Sequence, residues 1–245
     1  MTNLKMGKHL GSAYSMSLPY PHIILDNFMS EDLAKQCYQA MTKYLHWGYD
    51  SMLGYEEHAR NSQVNKFYTP WCDDNIQDIK ENMPVVWKVL QYYNSPPFLK
   101  FLTQLTGIEG LIADPVFNGG GCHKISNGGR LEIHSDYDRH IDNGLYRRIN
   151  LLLYVTPDWK EEWGGNLELW TLDPFVKHKS IPPLFNRAVI FNTTYDALHG
   201  HPIPLSCPED VHRYSLALYY FTQDRPEHEK SNSKSATWHD TTNLI

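Results

Sequence analysis

The chain has 245 residues, 41% of them hydrophobic and 13% aromatic, enough to bury one sizeable core but not several. Its 22 Lys and Arg against 28 Asp and Glu leave a formal charge of −6, which argues against a polyanion-binding surface and so against nucleic acid as a partner. No run approaches the roughly 18 uninterrupted apolar residues of a membrane span, so no membrane partner is expected; the longest candidate, Ile149 to Val155, is broken by Asn150.

Near the N-terminus Lys5 and Lys8 precede Leu10 to Pro21, which is too polar to be the apolar segment of an export signal. Ser30-Glu31-Asp32 reads as a helix start, and Leu33, Cys37, Met41, Tyr44 and Leu45 then recur at helical spacing. Residues 73–93 read as a second helical region, kinked or restarted at Pro84, and Pro96-Pro97 opens a third helix. After Gly107 the texture becomes that of a β domain, with strands expected near Cys122–Ser126, Arg130–Asp136, Arg147–Thr156, Asn166–Trp170, Arg187–Asn192 and Arg213–Thr222. Beyond Asp224 the chain is polar. The expected organisation is one structural domain: a largely helical N-terminal region, 1–105, supporting a mainly β core, 106–224, with a polar tail, 225–245, that Trp238 could dock. Cys37, Cys72, Cys122 and Cys207 are scattered without a C-x-x-C pair, so the expected compartment is the reducing cytoplasm. Most of the 13 histidines stand singly among polar neighbours and read as solvated.

The sharpest local signal is Ile133-His134-Ser135-Asp136. Residues two apart on a strand share a face, so the imidazole of His134 and the carboxylate of Asp136 can converge. A second histidine from a neighbouring strand would complete a two-histidine, one-carboxylate triad, which holds a metal on one face and leaves three positions open. His199 and His201 are the candidates; they are themselves two apart, so periodicity does not choose between them. Arg213 and Ser215 share a strand face further on, a guanidinium and a hydroxyl placed to hold a carboxylate.

With these blocks in order, the chain resembles the iron(II)- and 2-oxoglutarate-dependent oxygenases of the prolyl-hydroxylase-like branch, over about residues 105–225. The resemblance rests on Leu131-Glu132-Ile133-His134-Ser135-Asp136, Arg147 to Val155, Gly164-Gly165-Asn166-Leu167-Glu168-Leu169-Trp170, Phe191-Asn192-Thr193-Thr194, His199-Gly200-His201-Pro202 and Arg213 to Phe221. It implies a double-stranded β-helix, or jelly roll, with Fe(II) held by His134, Asp136 and His199, and 2-oxoglutarate and O2 as co-substrates. The His-Gly form favours His199 over His201, which would then stand beside the metal or on the substrate side. Arg213 would bind the far carboxylate of 2-oxoglutarate, assisted by Ser215 and Tyr154. The implied reaction hydroxylates an unactivated C–H bond with release of succinate and CO2, and the retained Asp136 favours hydroxylation over halogenation.

Arg147, Tyr137, Asp138, His201 and Arg60 are the substrate-side candidates. Alternation lets only one of Arg147 and Arg148 point inward, and Trp163, Trp170 and Trp238 read as packing anchors. Glu168 is expected to pair with a cation in the sheet. Arg60, Asn61 and Lys66 with Tyr55 and Tyr68 have the texture of a loop over the site. The substrate is a small molecule, an amino acid or a peptidyl residue, and a homo-oligomer is open. Two readings compete with the hydroxylase: a non-catalytic jelly-roll module binding a ligand or carbohydrate, and a zinc hydrolase on a similar barrel. The binding module has no need of Asp136, His199 and Arg213 together, and the hydrolase would want a general base beside the metal and has no need of the Arg213 and Ser215 pair.

Overall fold

Prolines set two of the helix starts in the first half of the chain, whose computed structural model describes residues 7–49, 62–70, 74–140, 142–231 and 233–241. The helices are α1 (Gly7–Ser15), α2 (Glu31–Lys43), α3 (Asp74–Asn82), α4 (Pro84–Tyr93) and α5 (Pro96–Thr106). Pro84 and Pro96 fall in first turns, where the missing N–H is no loss, so the region expected to kink or restart at Pro84 restarts there as a second helix. α2 starts after Ser30 as expected, but the Ser30 hydroxyl makes no capping hydrogen bond; Glu31 and Asp32 face the positive end of the dipole instead. α1 was not signalled by the sequence.

Among the described residues twelve strands form one curled antiparallel sheet: β1 (His22–Leu25), β2 (Gly48–Tyr49), β3 (Gln63–Thr69), β4 (Ile112–Ala113), β5 (Gly121–Ser135), β6 (Tyr146–Tyr154), β7 (Leu167–Thr171), β8 (Val176–Ile181), β9 (Arg187–Asn192), β10 (Leu198–His201), β11 (Arg213–Thr222) and β12 (Thr237–His239). The main path runs β1-β9-β6-β11-β5-β10-β7-β8, with β3 and β12 also on β5, β2 on β3 and β4 on β11. The arrangement is the jelly roll that the sequence implied.

β5 carries the curl. It joins the two strands expected at Cys122–Ser126 and Arg130–Asp136 into one of 15 residues. Its first part pairs with β11, from Gly121↔Ala217 to Ile125↔Arg213, and its last part pairs with β10, at His134↔His199. Between them Gly128 has φ +72°, and a Cβ at Gly129 would sit 2.5 Å from Ile125 Cγ2, so the corner needs both glycines.

Alternation along β6 divides its residues between two environments. Ile149, Leu151 and Leu153 join a core that includes Met41, Leu90, Phe98 and Leu102 of the helices, while Tyr154 packs inside the roll with Leu169 and Phe191. Both faces are buried, which is why the sequence shows a nearly continuous apolar run there.

The N-terminal region is not all helix. β1 pairs with β9 from His22↔Phe191 to Leu25↔Ala188, and β3 pairs with β5 from Gln63↔Leu131 to Thr69↔Cys122. The polar tail also enters the fold, since β12 lies along β5. Cys37, Cys122 and Cys207 are buried free thiols. No helix among the described residues is long and apolar enough to cross a membrane.

Candidate active site

His134, near the end of β5, and His199, on β10, are cross-strand partners with ring centroids 4.4 Å apart. Cross-strand partners project from the same face, and Asp136 follows two residues after His134. The Nε2 atoms lie 3.8 Å and 3.5 Å from Asp136 Oδ1 and Oδ2 for His134 and His199 respectively. One ligand atom from each of the three falls within 4.8 Å of the others. His134 Nδ1–H donates to the Glu132 carbonyl at 2.9 Å and His199 Nδ1–H to the Ala197 carbonyl at 3.3 Å, so each Nε2 keeps its lone pair on the side of the carboxylate. Burial lowers both histidines, His134 to about 3, which keeps the rings neutral. Burial opposes the charge on Asp136, but Arg147, His199, His134 and the Asn150 amide outweigh it and hold the carboxyl at about 2. Two neutral imidazoles and one carboxylate are a donor set that could hold a divalent transition metal. His201 stands outside it, in register with Leu131.

Arg147 and Asn150 fix the carboxylate. Arg147 Nη1 is 3.1 Å from Asp136 Oδ1, Arg147 Nε donates to Asn150 Oδ1 at 2.9 Å, and Asn150 Nδ2 donates to Asp136 Oδ2 at 2.7 Å. The guanidinium lies 3.5 Å from the Tyr219 ring centroid and 4.8 Å from that of Tyr137. Arg147, expected on the substrate side, is thus engaged with Asp136 and buried. Arg148 takes the opposite face, with Glu229 Oε2 at 3.3 Å. Asn150 was missed: in the sequence it is only the break in an apolar run.

The remaining substrate-side candidates separate. Asp138 is buried and accepts hydrogen bonds from the Arg225 guanidinium and, at 2.9 Å, from the Ser231 N–H, so it clamps the tail and does not line a rim. Tyr137 lies against Arg147. Arg60, with Tyr55 and Asn61, lies outside the described residues.

Arg213 opens β11. It is buried, its Nη2 donates to the Tyr154 hydroxyl at 3.1 Å, its Cζ lies 4.7 Å from that ring centroid, and its Nε has no partner. Among the described residues no carboxylate pairs with it. Ser215 is opposite both Tyr154 and His123, which brings Arg213, Ser215, Tyr154 and His123 onto one face. A Cβ at Gly165 would come within 2.6 Å of Leu205 Cδ2 and 3.1 Å of Arg213 Cδ, so the glycine makes room for the arginine stem. A buried guanidinium without a counter-charge is costly, and this one fits an anionic group arriving with a ligand.

Trp238 on β12 is in register with His134, and their ring centroids are 4.8 Å apart. It walls His134, where the sequence read it as a packing anchor. Trp170 is such an anchor, stacked on Phe175, and its Nε1–H donates to Glu168, which also takes the expected cation, Lys177, at 3.1 Å.

Residues 120–221 match the family model described as the 2OG-Fe(II) oxygenase superfamily. Over that segment, which is less than half of its length, the chain is similar to the 2OG-Fe(II) oxygenases. The chain is 22% identical over 237 residues to prolyl 3,4-dihydroxylase OGFOD1 of Ostreococcus tauri, covering 89% of this chain and 41% of that protein. It therefore spans about two fifths of that relative's length. A prolyl-4-hydroxylase from Pseudomonas putida superposes with a TM-score of 0.52 at 15% identity, over 91% of this chain and 100% of that one. HygX from Streptomyces hygroscopicus, crystallised with nickel and 2-oxoglutarate, superposes with a TM-score of 0.53 at 10% identity, over 91% and 94%. Both likenesses are of fold. For the oxygenase domain, Fe(II) and 2-oxoglutarate are the cofactor and co-substrate, and the residues described above offer donors for each.

Proposed function

We propose that this chain is an iron(II)- and 2-oxoglutarate-dependent dioxygenase that hydroxylates an unactivated C–H bond, and that its substrate is a prolyl residue in a peptide. The observation that carries the reading is Arg213, buried without a carboxylate partner among the described residues, in the same roll as His134, Asp136 and His199. The substrate class is supported by the prolyl-hydroxylase relative that aligns with most of the chain. A ligand-binding jelly roll has no use for both features.

In this reading His134 and His199 bind iron through Nε2 and Asp136 through its carboxylate. When bound, iron and 2-oxoglutarate supply the oxygen-activating chemistry, with the oxo acid converted to succinate and CO2. Arg147 and Asn150 keep the carboxylate ionised and oriented. Arg213 pairs with the far carboxylate of the co-substrate, with the Tyr154 and Ser215 hydroxyls beside it, and Trp238 excludes water along the His134 side.

Anaerobic addition of Fe(II) and then 2-oxoglutarate should produce the weak visible metal-to-ligand charge-transfer band. In air, succinate should form in step with addition of one oxygen to a proline-containing peptide. His134→Ala, Asp136→Ala and His199→Ala should each abolish metal binding, while His201→Ala should retain it. Absence of both the band and succinate would overturn the enzyme reading; succinate without any modified proline would overturn the substrate class alone.

A further inference from the structure

His201 is 3% exposed, and neither of its ring nitrogens has a hydrogen-bond partner. Buried polar atoms are almost always partnered, so an imidazole with both nitrogens unsatisfied marks a place that another group fills. Its position shows which kind of group. β10 pairs Leu198, His199 and Gly200 in step with Trp170, Leu169 and Glu168 of β7, and the register shift between His199 and His201 falls on β5, whose partners there are His134 and Leu131, so His201, two residues on, projects from the same face as His199. Two residues along a strand span roughly 6.6 Å, similar to the reach of a five-carbon dicarboxylate from its 2-oxo end to its far carboxylate. Arg213, Lys66 and His134 are its charged or chargeable neighbours. Arg213 Nε is also without a partner. Two buried donor groups are therefore left open, and one carboxylate, with about four acceptor positions, can satisfy both.

The backbone holds His201 there. A Cβ at Gly200 would lie 2.6 Å from the Glu132 carbonyl oxygen and 2.7 Å from that of Leu131, so β10 sits directly on β5 with no side chain between them. Pro202 restricts the next step of the chain. In either protonation state the ring offers at least one N–H donor.

We propose that His201 is a co-substrate-binding residue, donating a hydrogen bond to the far carboxylate of the 2-oxo diacid beside Arg213. The proposal rests on the oxygenase reading above. It differs from the substrate-side role expected from the sequence, because it directs the ring along the co-substrate and not toward the group to be hydroxylated.

The test is anaerobic titration calorimetry on the full chain loaded with Fe(II). It uses two ligands, 2-oxoglutarate and 2-oxopentanoate, the latter having a methyl group in place of the far carboxylate. His201→Leu should weaken 2-oxoglutarate binding by about tenfold and leave metal affinity and 2-oxopentanoate affinity unchanged. His201→Gln, which keeps an N–H donor, should recover part of the loss and serves if the leucine variant folds poorly. Equal weakening for both ligands would reduce His201 to a packing role, and unchanged 2-oxoglutarate affinity would leave its nitrogens to water; either result overturns the proposal. Loss of metal binding would overturn it in favour of a ligand role. Failure of the unaltered chain to bind 2-oxoglutarate would bring down the oxygenase reading, and this proposal with it.

Discussion

Arg147, buried, and Asp136, whose side chain is 10% exposed, form an ion pair, 3.1 Å from Nη1 to Oδ1. It places a guanidinium beside the carboxylate that faces His134 and His199. Asn150 closes the arrangement by bonding to both partners.

Arg147→Met should therefore damage the metal site without removing a ligand. Leaving Asp136 without its buried partner is expected to cost about 3–5 kcal/mol of stability. Asn150→Ala, which removes one hydrogen bond to a charged group, should cost about 1.5–3 kcal/mol. Chemical denaturation of the metal-free protein and cobalt(II) titration of each variant read the two effects. Unchanged cobalt affinity in both variants would show that Asp136 keeps its position without them.

Gly165 tests how Arg213 is placed. With φ +74° and a Cβ position crowded by Leu205 and Arg213, Gly165→Ala should displace the Arg213 stem and raise the 2-oxoglutarate Kd while metal binding is kept. Arg213→Ala should lose about 2–5 kcal/mol of 2-oxoglutarate binding. Tyr154→Phe, losing one neutral hydroxyl, should lose about 0.5–1.5 kcal/mol. If pyruvate, which has no far carboxylate, loses affinity in Arg213→Ala as much as 2-oxoglutarate does, the arginine does not hold that group.

Acid should destabilise the metal-free protein early. Burial holds His123, His134, His199 and His201 below the ordinary histidine value, so from about pH 6.5 downward the unfolded chain binds more protons than the folded one. The stability these rings contribute is whole above that pH and is lost as the pH falls toward their folded values. Asp136 behaves in a lower window: its contribution is present above about 3.8 and is lost as the pH falls through about 2. The denaturation midpoint should decline steadily between about pH 6.5 and about pH 5, and His123→Asn should flatten that slope. A midpoint constant over this interval would contradict the burial of neutral rings.

Trp238 should report on the metal. Its ring lies against His134, so cobalt(II) or Fe(II) binding should quench part of the tryptophan emission, and Trp238→Phe should remove that part. Quenching of the same size in the variant would assign the signal to another of the seven tryptophans.

The pairing of His134 with Asp136 was legible because strand alternation puts residues two apart on one face. The same rule left His199 and His201 undecided, since both lie on one face of β10 and both are buried. Register separates them: His199 is opposite His134, and His201 is opposite Leu131. Alternation also foretold that one of Arg147 and Arg148 points inward, but not that its target is a carboxylate eleven residues earlier. Asn150 carried a signal that was read the wrong way round, because a lone amide within a buried apolar run must satisfy its polar atoms somewhere inside. β1, β3 and β12 are short strands whose partners are far away in sequence, and nothing local marks them. The polarity of the tail hid β12, although Trp238 marked the place.

β5 gives the site a folding history. Its 15 residues carry His123 at one end and His134 at the other, yet their neighbours on β11 and β10 enter the sequence many residues later, with His199 following His134 by 65 positions. Such non-local pairings close slowly, because loop-closure entropy is lost before contacts compensate it. His134, Asp136 and His199 should therefore come together late in folding. A metal ion added to the refolding chain should leave the early rate unchanged and slow unfolding, acting as a clasp between β5 and β10.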